Sequence, residues 1–290
     1  MNYTLANDYL SAEFKSFGAE LISLRDKKGT EYIWNGDARY WKRHTPILFP
    51  IVGKILKDEY ELEGKTYKMP AHGFARDLEF EVERQTEEAI TFVLKSSLGT
   101  QAFYPYAFCL KIHYTLEGRR LGIAYEVQNQ DTCPMAFKIG AHPAFKWPRF
   151  HDEKMEDYEL VWEQEEAEAV QLLINKEVYL TKEEKPFKGS HIPLSKALFE
   201  KEGVLIWRNY KSQALSLVSK KHLEKLTVDF KGFPFLGVWS PTDEGPFVCI
   251  EPWHGHADYL EDSLCLMEKS DVLTLQAGQS FKCEHGMTIS

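Results

Sequence analysis

Phe108-Cys109-Leu110-Lys111-Ile112-His113-Tyr114-Thr115-Leu116-Glu117-Gly118 alternates strictly along its length. Phe108, Leu110, Ile112, Tyr114 and Leu116 share one buried face, because side chains of an extended chain repeat every second residue. Glu117-Gly118 turns the chain, and Leu121 to Val127 is the returning arm. Upstream, Leu21, Ile22 and Leu24 lead through Asp26-Lys27-Lys28-Gly29-Thr30 to Tyr32, Ile33 and Trp34, which reads as a hairpin. Glu59 to Met69 is another, turning at Glu63-Gly64, and Leu78 to Val82 pairs with Ile90 to Leu94. Downstream, strands are expected at Met135 to Ile139, Val204 to Trp207, Ala214 to Val218, Leu226 to Phe230, Gly237 to Trp239, Leu273 to Leu275 and Phe281 to Ile289.

Residues 150–190 leave two readings, a helix through the acidic run Glu163 to Glu168 or two short strands with a charged loop. Pro193 to Glu200 reads as a short helix with proline near its first turn. Tyr40 to Lys54 carries two prolines around an apolar centre, so it is extended and not helical. Many short strands with turn signals every ~8–12 residues define an all-β antiparallel sandwich or barrel. No Pro/Gly/Ser linker, composition break or repeat divides the chain, so residues 1–290 are expected to be one domain.

Composition excludes several functions. With 35 Lys and Arg against 44 Asp and Glu, the net charge is −9, and no basic stripe is present for a nucleic-acid backbone. No run approaches the ~20 apolar residues of a membrane helix, and no signal-peptide pattern opens the chain, so the expected location is cytoplasmic. The five cysteines are widely spaced and none forms a CxxC pair; they read as buried thiols, not a disulfide or zinc framework. A GxSxG elbow and a GxxxxGK[ST] loop are both missing.

Three stretches carry chemistry. Val248-Cys249-Ile250-Glu251-Pro252-Trp253-His254-Gly255 is a strand that delivers Glu251 to a sheet edge beside aromatic and imidazole groups. Burial there raises a carboxylate's pKa and makes it a usable base; a structural Glu bonded to backbone is the competing reading. In Ile139-Gly140-Ala141-His142-Pro143 the proline holds His142 extended, and histidine is the usual general acid near neutral pH. In Ala71-His72-Gly73-Phe74-Ala75-Arg76, Gly73 lets a ligand approach His72, and Arg76 binds either a polar substrate or a surface carboxylate. Each histidine has a packed-core alternative. His254 and His256 form an HxH pair that would bind a metal only together with His72 or His142, and no further metal motif supports it.

Taken in order, Leu48-Phe49-Pro50-Ile51-Val52-Gly53-Lys54, His72 to Arg76, Gly140 to Phe145, Trp239-Ser240-Pro241 and Cys249 to Gly255 make the chain resemble the aldose 1-epimerase (galactose mutarotase-like) family. Within it, the resemblance is to the LacX-like branch, and it spans roughly residues 5–289. The resemblance implies one large antiparallel β-sandwich with a sugar cleft on one sheet. It implies Glu251 as general base, His142 as general acid, and His72, Lys54 and Arg76 as substrate-binding residues. Lys54 stands where many relatives have an arginine, replacing a bidentate fork by a point charge. Relatives also set an aspartate on the sugar hydroxyls; by spacing Glu202 is nearest to it.

The expected function is therefore mutarotation of an aldohexose without metal or other cofactor. Its partner is a monosaccharide, phosphorylated or not, with no nucleic acid or membrane, in a monomer or homodimer. Two alternatives remain: a hexose-6-phosphate mutarotase, for which Arg43, Lys54 and Arg76 are the candidate cations, and a non-catalytic carbohydrate-binding protein.

Overall fold

The hairpin that opens the sequence reading is the centre of the back of the molecule. Phe108–Glu117 and Arg120–Asn129 are ten residues each and pair from Glu117↔Arg120 to Phe108↔Asn129. The computed structural model describes residues 1–290. Around this hairpin stands a nine-stranded back sheet, running Gly189–Pro193, Tyr158–Glu166, Ala214–Ser219, Leu226–Asp229, Ser280–Ile289, Arg120–Asn129, Phe108–Glu117, Ala89–Lys95, Glu81–Gln85. An eight-stranded front sheet runs Leu180–Pro186, Val170–Ile174, Leu205–Arg208, Phe235–Trp239, Phe247–His254, Ile139–Ala141, Ile47–Leu48, with Ala144–Lys146 also on Phe247–His254. Every strand ladder is antiparallel.

Alternation assigns the faces. Leu110, Ile112 and Tyr114 of the back sheet meet Leu205, Trp207, Leu236, Val238, Val248 and Ile250 of the front sheet in one apolar cluster of 61 buried residues. Polar tips inside this core find partners: the Tyr114 hydroxyl donates to the Ala19 carbonyl at 2.8 Å, and Tyr125 meets His285 at 2.9 Å. The intervening residues of the front strands face outward. Ile206, Phe235 and Trp253 form a second apolar cluster there, and Phe247 and Cys249 a third with Trp34 and Ala144. That outer face carries the site.

Several local expectations change. Tyr32 to Trp34 form no strand: Arg25↔Glu31 and Ile33↔Phe145 are single bridges, and Leu10–Lys15 is the arm that pairs with Glu20–Asp26. Met135 to Ile139 splits at Lys138: Met135–Phe137 pairs with Leu273–Leu275, while Ile139–Ala141 enters the front sheet. Of the two readings left for residues 150–190, the strands hold, as Tyr158–Glu166 and Val170–Ile174, with Glu163 to Glu166 inside the first. Glu166 fits inside because its carboxylate accepts the Lys211 and Ser212 amides at 2.8 and 2.7 Å. The short helix is Lys196–Glu202, capped by Ser195; Pro193 ends a strand instead. The other helix has four residues, and no helix is long and apolar enough to cross a membrane.

Candidate active site

Glu251 lies in the interior of the front sheet, not at its edge. Phe247–His254 runs on past it, with Gly237 of Phe235–Trp239 opposite on one side. On the other side the pairing Gly140↔Trp253 and Ala144↔Cys249 belongs to one continuous register, which sets His142 directly across from Glu251. Pro143 has no N–H to give, so the ladder opens at this point and the chain makes other bonds. The His142 amide donates to the Pro46 carbonyl at 3.1 Å. Side chains directly opposite on one face of a sheet stand about 5 Å apart at Cβ. Here the result is His142 Nε2 at 3.3 Å from Glu251 Oε2.

This pair forms the floor of a cleft of about 400 Å³. Glu251 is 1% exposed and His142 8%. Burial pushes the Glu251 carboxyl well above the usual range, with the Trp253 indole N–H pulling weakly the other way. Burial, and then the Arg76 charge, pushes His142 down to about 3. His142 Nδ1 and Glu251 Oε2 have no hydrogen-bond partner. Burial thus disfavours charge on either member, so the protonated carboxyl and the neutral imidazole are the favoured forms.

His72 reaches the cleft from a strained turn. Its φ is +65°, and Gly73 follows at +70°, where a Cβ would come within 2.2 Å of the Phe49 carbonyl oxygen. The Gly53 amide donates to His72 Nδ1 at 3.2 Å, and the ring is kept neutral by burial and by the His142 ring beside it. The proton then resides on Nε2, making His72 a hydrogen-bond donor. Its ring centre is 5.4 Å from that of His142.

Lys54 follows Gly53, which has φ +72° and packs against Ala257 too tightly for a Cβ. Its ammonium sits 4.8 Å from the Tyr179 ring and has no carboxylate partner. The backbone here is anchored from behind. The Asp258 amide donates to the Lys54 carbonyl at 2.8 Å, and the Asp258 carboxylate pairs with buried Lys269 and accepts the Leu56 amide. Arg76 also lines the cleft. It donates to the Ala71 carbonyl at 2.6 Å, and its Nε stands 3.8 Å from Asp77.

The cleft therefore brings together all five expected residues: Glu251, His142, His72, Lys54 and Arg76. Other candidates lie elsewhere. Arg43 is outside the lining and pairs with Asp77 at 2.9 Å. Glu202 turns to Gln171, Lys185 and Lys201. His254 packs between Phe233 and Phe281, and His256 bonds Asp271, so the HxH pair does not meet His142. The motifs singled out the wall only in part, naming Trp239 in Trp239-Ser240-Pro241 but not Trp41. Trp41 lies over the His142 ring at 4.9 Å, Trp239 meets it edge-on at 5.6 Å, and Ile174, Val178 and Ile206 form the far rim. A second hollow, of about 570 Å³ on the outer face of the back sheet, is lined by Lys and Glu side chains paired with each other, such as Lys111 with Glu83.

A front sheet that carries a carboxyl and an imidazole in register, under tryptophans and beside a histidine donor, is the architecture of a sugar isomerase. The chain belongs to the aldose 1-epimerase family, whose model matches residues 1–282. Among individual proteins it is similar to Protein LacX (plasmid) of Lactococcus lactis subsp. lactis, at 35% identity over 100% of this chain and 99% of that one. Its fold matches the galactose mutarotase related enzyme of Lactobacillus acidophilus with a TM-score of 0.94, at 33% identity, covering 100% and 97% of the two chains. A proposed glucose-6-phosphate 1-epimerase of Escherichia coli K12 is 28% identical over 115 residues, 36% of each chain.

Proposed function

We propose that the protein, acting as one unit over residues 1–290, interconverts the α and β anomers of an aldohexose. Glu251 is the general base and His142 the general acid. The observation that carries this is the in-register pair on the cleft floor, 3.3 Å apart and screened from water. A bound sugar donates hydroxyl hydrogen bonds to the carboxylate, which favours the charged pair, and the proton of Glu251 passes to His142. Glu251 then takes the proton of the C1 hydroxyl. The C1–O5 bond breaks, its electrons go to O5, and His142 protonates O5 as C1 becomes an aldehyde. The pair is then neutral again, matching its resting state. Rotation about C1–C2 presents the other face, and the same transfers run backwards to close the ring. His72 donates from Nε2 to the ring-oxygen region and hydroxyls, and Trp41 and Trp239 pack on the sugar face.

One observation favours a second reading, in which the sugar carries a phosphate. Lys54 and Arg76 both line the cleft, and Lys54 has no carboxylate partner. Polarimetry with galactose, glucose and their 6-phosphates, each against a buffer blank, decides between the readings. Glu251→Gln and His142→Asn should each lower the rate by about 10²-fold or more. Near-normal mutarotation in either variant sinks the assignment. Full sugar binding without any rate above the blank makes the protein a carbohydrate-binding module instead.

A further inference from the structure

Just beneath the cleft floor lies a third donor that ring opening leaves idle. Cys249 precedes Glu251 by two residues in the strand Phe247–His254, so both side chains leave the sheet on the same face. An imidazole nitrogen of His142, the Cys249 sulfur and a Glu251 carboxylate oxygen all lie within 4.8 Å of one another. Three atoms that close share a point no more than about 2.8 Å from each. Zinc bonds run about 2.3 Å to sulfur and about 2.0–2.2 Å to nitrogen or oxygen, so closing the trio on an ion asks for shifts of at most about 0.8 Å per ligand.

We infer that His142, Cys249 and Glu251 form a binding site for a thiophilic divalent cation, Zn²⁺ above all. Glu251 Oε2 is an unpartnered polar atom on a side chain at least nine-tenths buried, and it faces the trio, 3.3 Å from His142 Nε2. A thiolate with an imidazole and one carboxylate suits zinc and is a poor set for magnesium or calcium, which take oxygen ligands. The fourth position faces the cleft, where a water or sugar hydroxyl completes the tetrahedron. Cys249 is buried one layer down, packed with Trp34, Ala144 and Phe247, with Trp41 and Trp239 against that cluster. Binding displaces the thiol and carboxyl protons into solvent and leaves the metal–ligand bonds in their place. The ion occupies the lone pairs that would otherwise carry protons, so it inhibits.

The site rests on geometry alone; the inhibition rests on the acid/base assignment of Glu251 and His142. The test uses the full chain without a histidine tag and Co²⁺ as the probe. One equivalent of Co²⁺ should give a thiolate-to-cobalt charge-transfer band that Zn²⁺ removes and that Cys249→Ser lacks. Half-inhibition of mutarotation, measured against each protein's own metal-free rate and reversed by a chelator, should require at least 10-fold more Zn²⁺ in Cys249→Ser. No charge-transfer band, or one unchanged in Cys249→Ser, overturns the site. A normal band with an unaffected rate keeps the site and overturns the acid/base assignment instead.

Discussion

Glu251→Gln should stabilise the protein as it destroys catalysis, and the gain should grow with pH. The carboxyl is 1% exposed, and burial raises its pKa well above that of the unfolded chain. The native state thus holds a proton that the unfolded state releases above about pH 4.5, and stability falls with rising pH wherever the native state binds more protons. Each pH unit costs about 1.4 kcal/mol while the native carboxyl stays protonated. Glutamine has nearly the same shape and does not titrate. Between pH 5 and pH 7 the stability difference, variant minus wild type, should therefore grow by up to about 3 kcal/mol. Urea unfolding of both proteins at half-unit pH steps measures it. His285 and the other titrating groups are common to both chains, and His142 faces a neutral partner in both as long as Glu251 stays protonated, so the difference reports on Glu251. A difference that does not change with pH, or that shrinks as pH rises, would refute the protonated resting state.

Other outcomes follow from the same geometry. Burial lowers His142 and His285 to about 3, so the stability of the neutral rings is present above about pH 6.5 and is lost as pH falls below it. Each contributes about 1.4 kcal/mol per pH unit in that window, and a urea midpoint that holds steady from pH 6.5 to 5 would contradict it. Lys54→Met, which keeps the stem and removes the charge, should raise KM for a hexose 6-phosphate about 10-fold or more while leaving that for the free hexose within about 2-fold. Equal changes for both sugars would remove Lys54 as a phosphate contact. Gly73→Ala puts a Cβ against the Phe49 carbonyl at a positive φ, and should lower stability by about 2 kcal/mol or more in thermal unfolding, with loss of sugar affinity as His72 shifts.

Local pattern carried much of this protein. Strict alternation in Phe108 to Leu116 identified the buried face of the back sheet, because strand periodicity is a property of neighbours along the chain. Signals failed where a distant partner decided the outcome. Tyr32 to Trp34 has strand composition, yet only isolated bridges formed. The acidic run Glu163 to Glu168 left helix and strands both open, and the strand Tyr158–Glu166 takes in its first part, with the amides of Lys211 and Ser212 receiving the Glu166 carboxylate.

The site divides in the same way. Residue types and their order pointed to Glu251, His142, His72, Lys54 and Arg76, since a buried carboxylate, a histidine before proline and a glycine beside a histidine are each local signs. Only the tertiary structure decided that Glu251 lies inside the sheet, that His142 falls opposite it and beside Cys249, and that Trp41 covers the His142 ring. Periodicity states which face a side chain occupies. It does not state which strand lies alongside or in what register, and two residues 109 positions apart meet only when those are set.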